Sequence, residues 1–128
     1  KGISATADEH GEALQVGAEL RDWLRGYVPE GALAHGSSGN GCFVLVALEP
    51  TPVTTESTVR IAGFLALLAK RFSTATIKID TSVSNAARLM PAGGTWKRKG
   101  EDTPERPHRK VTFSCRGDVA RVALEVLT

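Results

Sequence analysis

Cysteine, methionine and aromatic residues are scarce in this sequence, and long apolar runs are missing. Two cysteines, Cys42 and Cys115, are too few for a disulfide scaffold and too far apart for a zinc pair. Both are read as buried free thiols. The longest apolar stretches, Phe43–Leu48 and Gly63–Ala69, fall far short of the ~20 residues a membrane helix needs. Residues Lys1 to His10 hold no apolar core of the kind a secretory signal requires, so no membrane partner is expected and the cytoplasm is the default compartment. The single methionine is Met90 and the chain starts at Lys1, so it is expected to be a fragment or a processed product.

What remains is ordinary domain composition, 128 residues with 41% hydrophobic and 23% charged. That suffices for a single domain over 1–128, burying roughly two-thirds of its unfolded surface. The formal charge of +2 is uneven: Lys97–Lys110 holds six Lys/Arg against three Asp/Glu, and the remainder is slightly acidic. A local basic surplus beside glycine-rich turns points to a phosphate-bearing partner.

Thr6-Ala7-Asp8-Glu9 has the form of a helix capping box. Val16, Leu20, Trp23, Leu24 and Tyr27 then recur at helical spacing, giving one buried stripe that ends at Gly26 and Pro29. The turn formers Gly36–Gly41 lead into Cys42–Leu48, a run without polar alternation, expected as a strand covered on both faces. A second amphipathic helix is predicted from Thr55 to Phe72, then a short strand, Ile77–Asp80. Thr81–His108 reads as a long irregular stretch with at most a turn of helix around Asn85–Leu89. Lys110–Cys115 alternates like a strand, and Asp118–Leu127 has helical spacing. The sum is an α+β layer fold, a small mixed or antiparallel sheet with about three helices. Three strands make a small sheet, which suggests that further strands precede Lys1.

Three features carry possible chemistry. Ser38-Gly39-Asn40-Gly41 can present backbone N–H groups as an anion nest, although most such turns only reverse the chain; it is not a Walker A loop, because no Lys-Ser/Thr follows. Asp80, ending an apolar strand, either caps the turn at Thr81–Val83 or serves as an oxygen ligand for Mg²⁺ or Mn²⁺. Glu49 and Glu101, the nearest acidic residues in sequence, are not obvious partners for it. In Lys97–Gly100 and Arg106–Arg109 the cations are interleaved with Gly and Pro. They suit bidentate phosphate contacts, with His108 as proton donor, or form a plain surface loop paired with Glu101, Asp102 and Glu105. Trp96 beside them either stacks on a base or anchors the loop.

In order along nearly the whole chain, Gly2–Thr6 with Glu9, Ser38–Gly41, Ile79-Asp80 with Asn85–Leu89, and Gly94-Thr95 with Lys99–Arg109 resemble the archaeo-eukaryotic primase superfamily. More narrowly they are similar to the primase-polymerase domains of bacterial, plasmid and phage replication proteins. The resemblance implies an RRM-like core and a two-metal nucleotidyl transferase, using Mg²⁺ or Mn²⁺, that builds primers or extends DNA from nucleoside triphosphates on a single-stranded DNA template. It implies a metal-binding, catalytic role for Asp80 and nucleotide or phosphate binding by Ser38, Gly39, Asn40, Gly41, Arg88, Lys99, Arg106, His108 and Arg109. An attached helicase domain or replication protein is a further implied partner, and an uncovered sheet edge would allow a homodimer.

Two departures bear on activity. The family's aspartate pair would fall just before Lys1, and its phosphate-binding histidine would fall at Phe43; His35 precedes the turn. The alternative is therefore a degenerate, non-catalytic domain that keeps nucleic-acid or nucleotide binding, and beyond it an assembly domain with neither.

Overall fold

A computed structural model describes residues 2–115 and 120–128. It is an α+β structure of three α-helices and two small antiparallel sheets. Helix α1 (Ala7–Leu24) starts at the expected capping box: Thr6 Oγ1 accepts from the Glu9 amide at 3.2 Å, and the Glu9 carboxylate accepts from the Thr6 amide at 2.9 Å. Its buried face is Ala13, Val16, Gly17, Leu20 and Leu24. Tyr27 lies beyond the helix end and is 56% exposed, lying against Trp23 instead of continuing the stripe.

Strand β1 (Leu33–Ser37) and strand β2 (Cys42–Val46) form an antiparallel hairpin closed by the Ser38–Gly41 turn. Helix α2 (Thr55–Phe72) follows with the predicted bounds, capped by Thr54 and Ser57. Strands β3 (Trp96–Lys97) and β4 (Arg109–Lys110) pair with each other. Strand β5 (Ser114–Cys115) pairs with β1, so the main sheet runs β2-β1-β5, and α3 (Leu124–Leu127) ends the chain. Leu20, Leu24, Val28, Ala32, Leu33, Leu68 and Val122 form the core, with Trp23, Phe64 and Phe72 packed against it. Leu24 is only 2% exposed.

Several expectations are corrected. Strand β2 is half-buried along its length, not covered on both faces, because it is a sheet edge and α1 packs on one side only. Ile77–Asp80 is not a strand: Ile77 and Ile79 donate their amides to the hydroxyls of Thr74 and Ser73, so no neighbouring strand receives them. Around Asn85–Leu89 there is no helical turn, only a tight turn near Val83–Ala86. Lys110–Cys115 is split between two sheets by Val111–Phe113, where Val111, 2% exposed, enters the interior. Of the helix expected over Asp118–Leu127, Asp118 and Val119 lie outside the described residues, and only Leu124–Leu127 is helical; Val122 instead bridges to Leu48 in parallel. Cys42 is half-buried and Cys115 exposed, so the thiols are free but not both buried. Among the described residues no helix is long and apolar enough to cross a membrane.

Candidate functional site

Three segments far apart in sequence meet at one end of the main sheet. The first is the hairpin turn. Its Ser38 amide donates to the Gly41 carbonyl at 3.0 Å, the Gly39 amide to Ser37 Oγ at 3.0 Å and the Gly41 amide to Ser38 Oγ at 3.1 Å. Those three N–H groups are engaged inside the turn, so they do not form an open anion nest. Gly39 has φ +97°, and a Cβ there would stand 2.5 Å from the Cβ of Lys97. Glycine is required by both its backbone conformation and the approach of β3.

The second segment is the basic loop with the β3–β4 hairpin. Arg109 Nη1 donates to the Gly39 carbonyl and to the Ala5 carbonyl, each at 3.1 Å. Arg106 donates to the Ser4 carbonyl at 2.8 Å and forks onto the two Glu9 oxygens at 3.2 and 3.3 Å. His108 donates from Nε2 to the Gly100 carbonyl at 2.9 Å, and its amide donates to Asp102.

The third is the N-terminal segment. Buried Ser4 donates to the Lys99 carbonyl at 2.8 Å, and the Ala5 amide donates to Asn40 Oδ1 at 3.0 Å. Asn40 Nδ2 is buried without a partner among the described residues. His10 Nε2 and Ser37 Oγ share a hydrogen bond of 2.7 Å. Burial, and then the nearby Arg109 charge, push the His10 pKa down, since both disfavour an imidazolium. The Glu9 carboxyl is held below its ordinary value first by the Thr6 amide and then by Arg106.

Arg106 and Arg109 are thus clamps that fasten the loop to the N-terminal segment and the turn, while His108 ties the loop to itself. The cations left outward-facing are Arg98, Lys99 and Lys110, none in an ion pair among the described residues; Lys110 Nζ sits 5.5 Å from the centroid of the half-exposed Trp96 ring. Ser4, Ala5, His10 and Thr112, which donates its amide to the Ser37 carbonyl and accepts the Ser37 amide on Oγ1, complete the junction. Sequence reasoning gave these four no site role. Glu9, marked by its capping box, was the one available signal.

Asp80 and Arg88 belong to a separate place. Exposed Asp80 accepts from the Ser82 amide at 2.9 Å and the Ser82 hydroxyl at 2.5 Å, and Arg88 lies 3.9 Å from its other oxygen. These Ser82 hydrogen bonds, more than Arg88, hold its pKa low. That is turn-capping geometry. The adjoining turn lines an open groove of about 350 Å³ with Leu48–Val53 and the first two turns of α2, in which Glu49 is the one charged residue among the described residues. Among the described residues, no hydrogen bond or ion pair joins Asp80 to the Ser38–Gly41 turn. Nor do those residues bring three or more His, Cys, Asp or Glu side chains together where they could hold a metal ion. A paired-cation centre does not fit Asp80 with its present neighbours.

His35 and Phe43 face opposite sides of the sheet. His35 shares the α1 side with its cross-strand partner Val44, and burial, then Arg21 and Arg25, push its pKa down. Phe43 lies across Gly36 on the other side, its ring centroid 6.1 Å from that of Phe113. His35 therefore cannot act from the Phe43 position. Comparison with protein-family models, with curated proteins and with solved structures finds no match to the chain.

Proposed function

We propose that the chain is a primase-polymerase-type domain acting in DNA replication, and that its described residues supply the part that binds single-stranded template and nucleoside triphosphate. One observation carries this reading. The Ser38–Gly41 turn and the basic loop, separated by about 60 residues of sequence and both tied to phosphate handling by the family resemblance, are in direct contact through Arg109, Gly39 and Lys97. Arg98, Lys99 and Lys110 beside that junction provide the charge that a phosphate backbone needs.

Nucleotidyl transfer would require Mg²⁺ or Mn²⁺ and more carboxylates than Asp80. The binding-only form of the reading is favoured by Phe43, whose ring cannot hold phosphate, and by the engagement of Asp80 with Ser82. Two measurements separate the forms. Anisotropy of a labelled oligo(dT) across a salt series is expected to show salt-sensitive binding, and the triple variant Arg98→Ala, Lys99→Ala, Lys110→Ala to lower the log–log slope by roughly two. Strand binding that ignores salt and these substitutions overturns the proposal. Calorimetry with a nucleoside triphosphate and Mn²⁺ decides on transfer: metal-dependent binding lost in Asp80→Ala supports a transferase, and strand binding without it leaves a binding domain.

A further inference from the structure

Among the described residues, the β2-β1-β5 sheet has one face packed against α1 and one more open face. Strand alternation and register put Leu33, His35 and Ser37 with Cys42, Val44 and Val46 on the side of α1, where a Cβ added at Gly17 would collide with Cys42 Sγ. The other side carries Ala34 and Gly36 on the central strand, Phe43 and Leu45 on β2, and Phe113 leading into β5. The centre is therefore low and the flanks carry rings. A Cβ at Gly36 would collide first with the Thr112 carbonyl and would also lie 2.8 Å from Phe43 Cζ, so a hydrogen at this position lets both the Thr112 backbone and the Phe43 ring approach β1. The Phe43 and Phe113 planes are inclined by only 31°. Phe113 is 50% exposed and Leu45 36%.

An exposed Phe113 ring beside a half-buried Phe43 ring and an exposed Leu45 makes an apolar patch of the kind that marks an interaction site. The occupant is indicated by charge. Phe113 is three residues from Lys110, at most about 10 Å of chain, and the β3–β4 hairpin that carries Lys110 also presents Arg98 and Lys99 unpaired among the described residues. Rings with exposed cations a few residues away along the chain match bases joined by a phosphate backbone. Phenylalanine offers no hydrogen bonds, so the face would hold any base by its π surface.

We propose that this open face is a base-stacking platform for single-stranded nucleic acid, with Phe43 and Phe113 taking neighbouring bases while Arg98, Lys99 and Lys110 hold the backbone. It rests on the strand-binding reading above and adds the residues that grip bases.

The test compares labelled oligo(dT) with an abasic strand of equal length and phosphate number, by anisotropy at fixed salt. Phe113→Leu keeps apolar volume at a half-exposed position and removes the ring; Phe113→Tyr keeps the ring. Phe113→Leu is expected to weaken oligo(dT) binding by at least about fivefold and leave the abasic strand unchanged, with Phe113→Tyr within about twofold of the parent. Phe43→Leu is expected to act in the same direction, with a urea titration of each variant confirming that it is folded. Unchanged oligo(dT) affinity in both leucine variants, with salt-sensitive binding intact, overturns the platform and spares the strand-binding reading. Failure of the parent to bind either strand overturns both. A dimer in sedimentation that Phe113→Leu dissociates also overturns the platform, by assigning the face to a second copy.

Discussion

Gly17 and Gly11 lie on the same helix, yet replacing each by alanine should move stability in opposite directions. Both gain the same backbone term, because glycine inside a helix is less stable than alanine by about 0.5–1 kcal/mol. At Gly11 a Cβ meets nothing within 4 Å, so Gly11→Ala should stabilise by that amount. At Gly17 the added carbon falls inside the contact distance of Cys42 Sγ and 3.2 Å from Cys42 Cβ, where β2 crosses beneath α1. Forcing a methyl into such a contact costs about 1–3 kcal/mol, which outweighs the backbone gain. The two variants should therefore differ by about 1–3 kcal/mol in urea unfolding, read as a shift of midpoint at constant m. Adding Cys42→Ala removes the sulfur, and the double variant should recover about 1 kcal/mol relative to the sum of the single changes. If Gly17→Ala stabilises as much as Gly11→Ala, or if Cys42→Ala shows no coupling to it, the close approach of α1 to β2 is wrong.

Other outcomes follow from the same structure. Glu9 has its pKa depressed by Thr6 and Arg106, so its contribution is present above the unfolded glutamate value and is lost as pH falls through the lower folded value. Glu9→Gln should flatten the acid limb of a stability–pH curve, and an unchanged limb would refute the pairing. His10 and His35 are both held below the ordinary histidine value by burial, so the fold favours the neutral ring. Stability should drop as pH falls through the unfolded histidine value towards the folded one, and NMR titration should place both rings below free histidine. Exposed Cys115 should react at once with a thiol reagent in the native protein, while half-buried Cys42, its pKa raised by desolvation, should react only slowly; two equally fast thiols would contradict this. Leu24→Ala, at a core position only 2% exposed, should cost about 2–5 kcal/mol in the same urea assay.

Both long helices were legible because each announces itself locally: Thr6 with Glu9 opens α1, and the spacing of Ile61, Phe64, Leu65, Leu68 and Phe72 marks α2. Strand β1 was not, since Ala34, His35 and Gly36 have little strand preference and are held by partners on both sides. Ile77–Asp80 failed in the reverse sense, with strand-forming residues but no neighbour. The alternation of Lys110–Cys115 was real, but it could not reveal that Val111 would turn inward and send its two ends to different sheets. At the candidate site the turn and basic loop were visible by composition, whereas the clamping of Arg106 and Arg109 by Glu9 and backbone carbonyls depends on contacts that no local pattern encodes.

Strand β1 has its two neighbours at very different distances along the chain. It reaches β2 through a four-residue turn, but Ser37 meets Thr112 only after 75 residues. Closing the longer loop costs about 3 kcal/mol more in chain entropy than closing the hairpin. Folding is thereby ordered in time: α1 and the hairpin can assemble from local contacts, whereas the stacking face and the Ser4–Lys99 and Arg109–Ala5 clamps, 95 and 104 residues in span, form together in a later and slower step. Until that step, the inner edge of β1 is an unpaired strand, and the 112–115 segment of a second molecule has the right sequence to fill it.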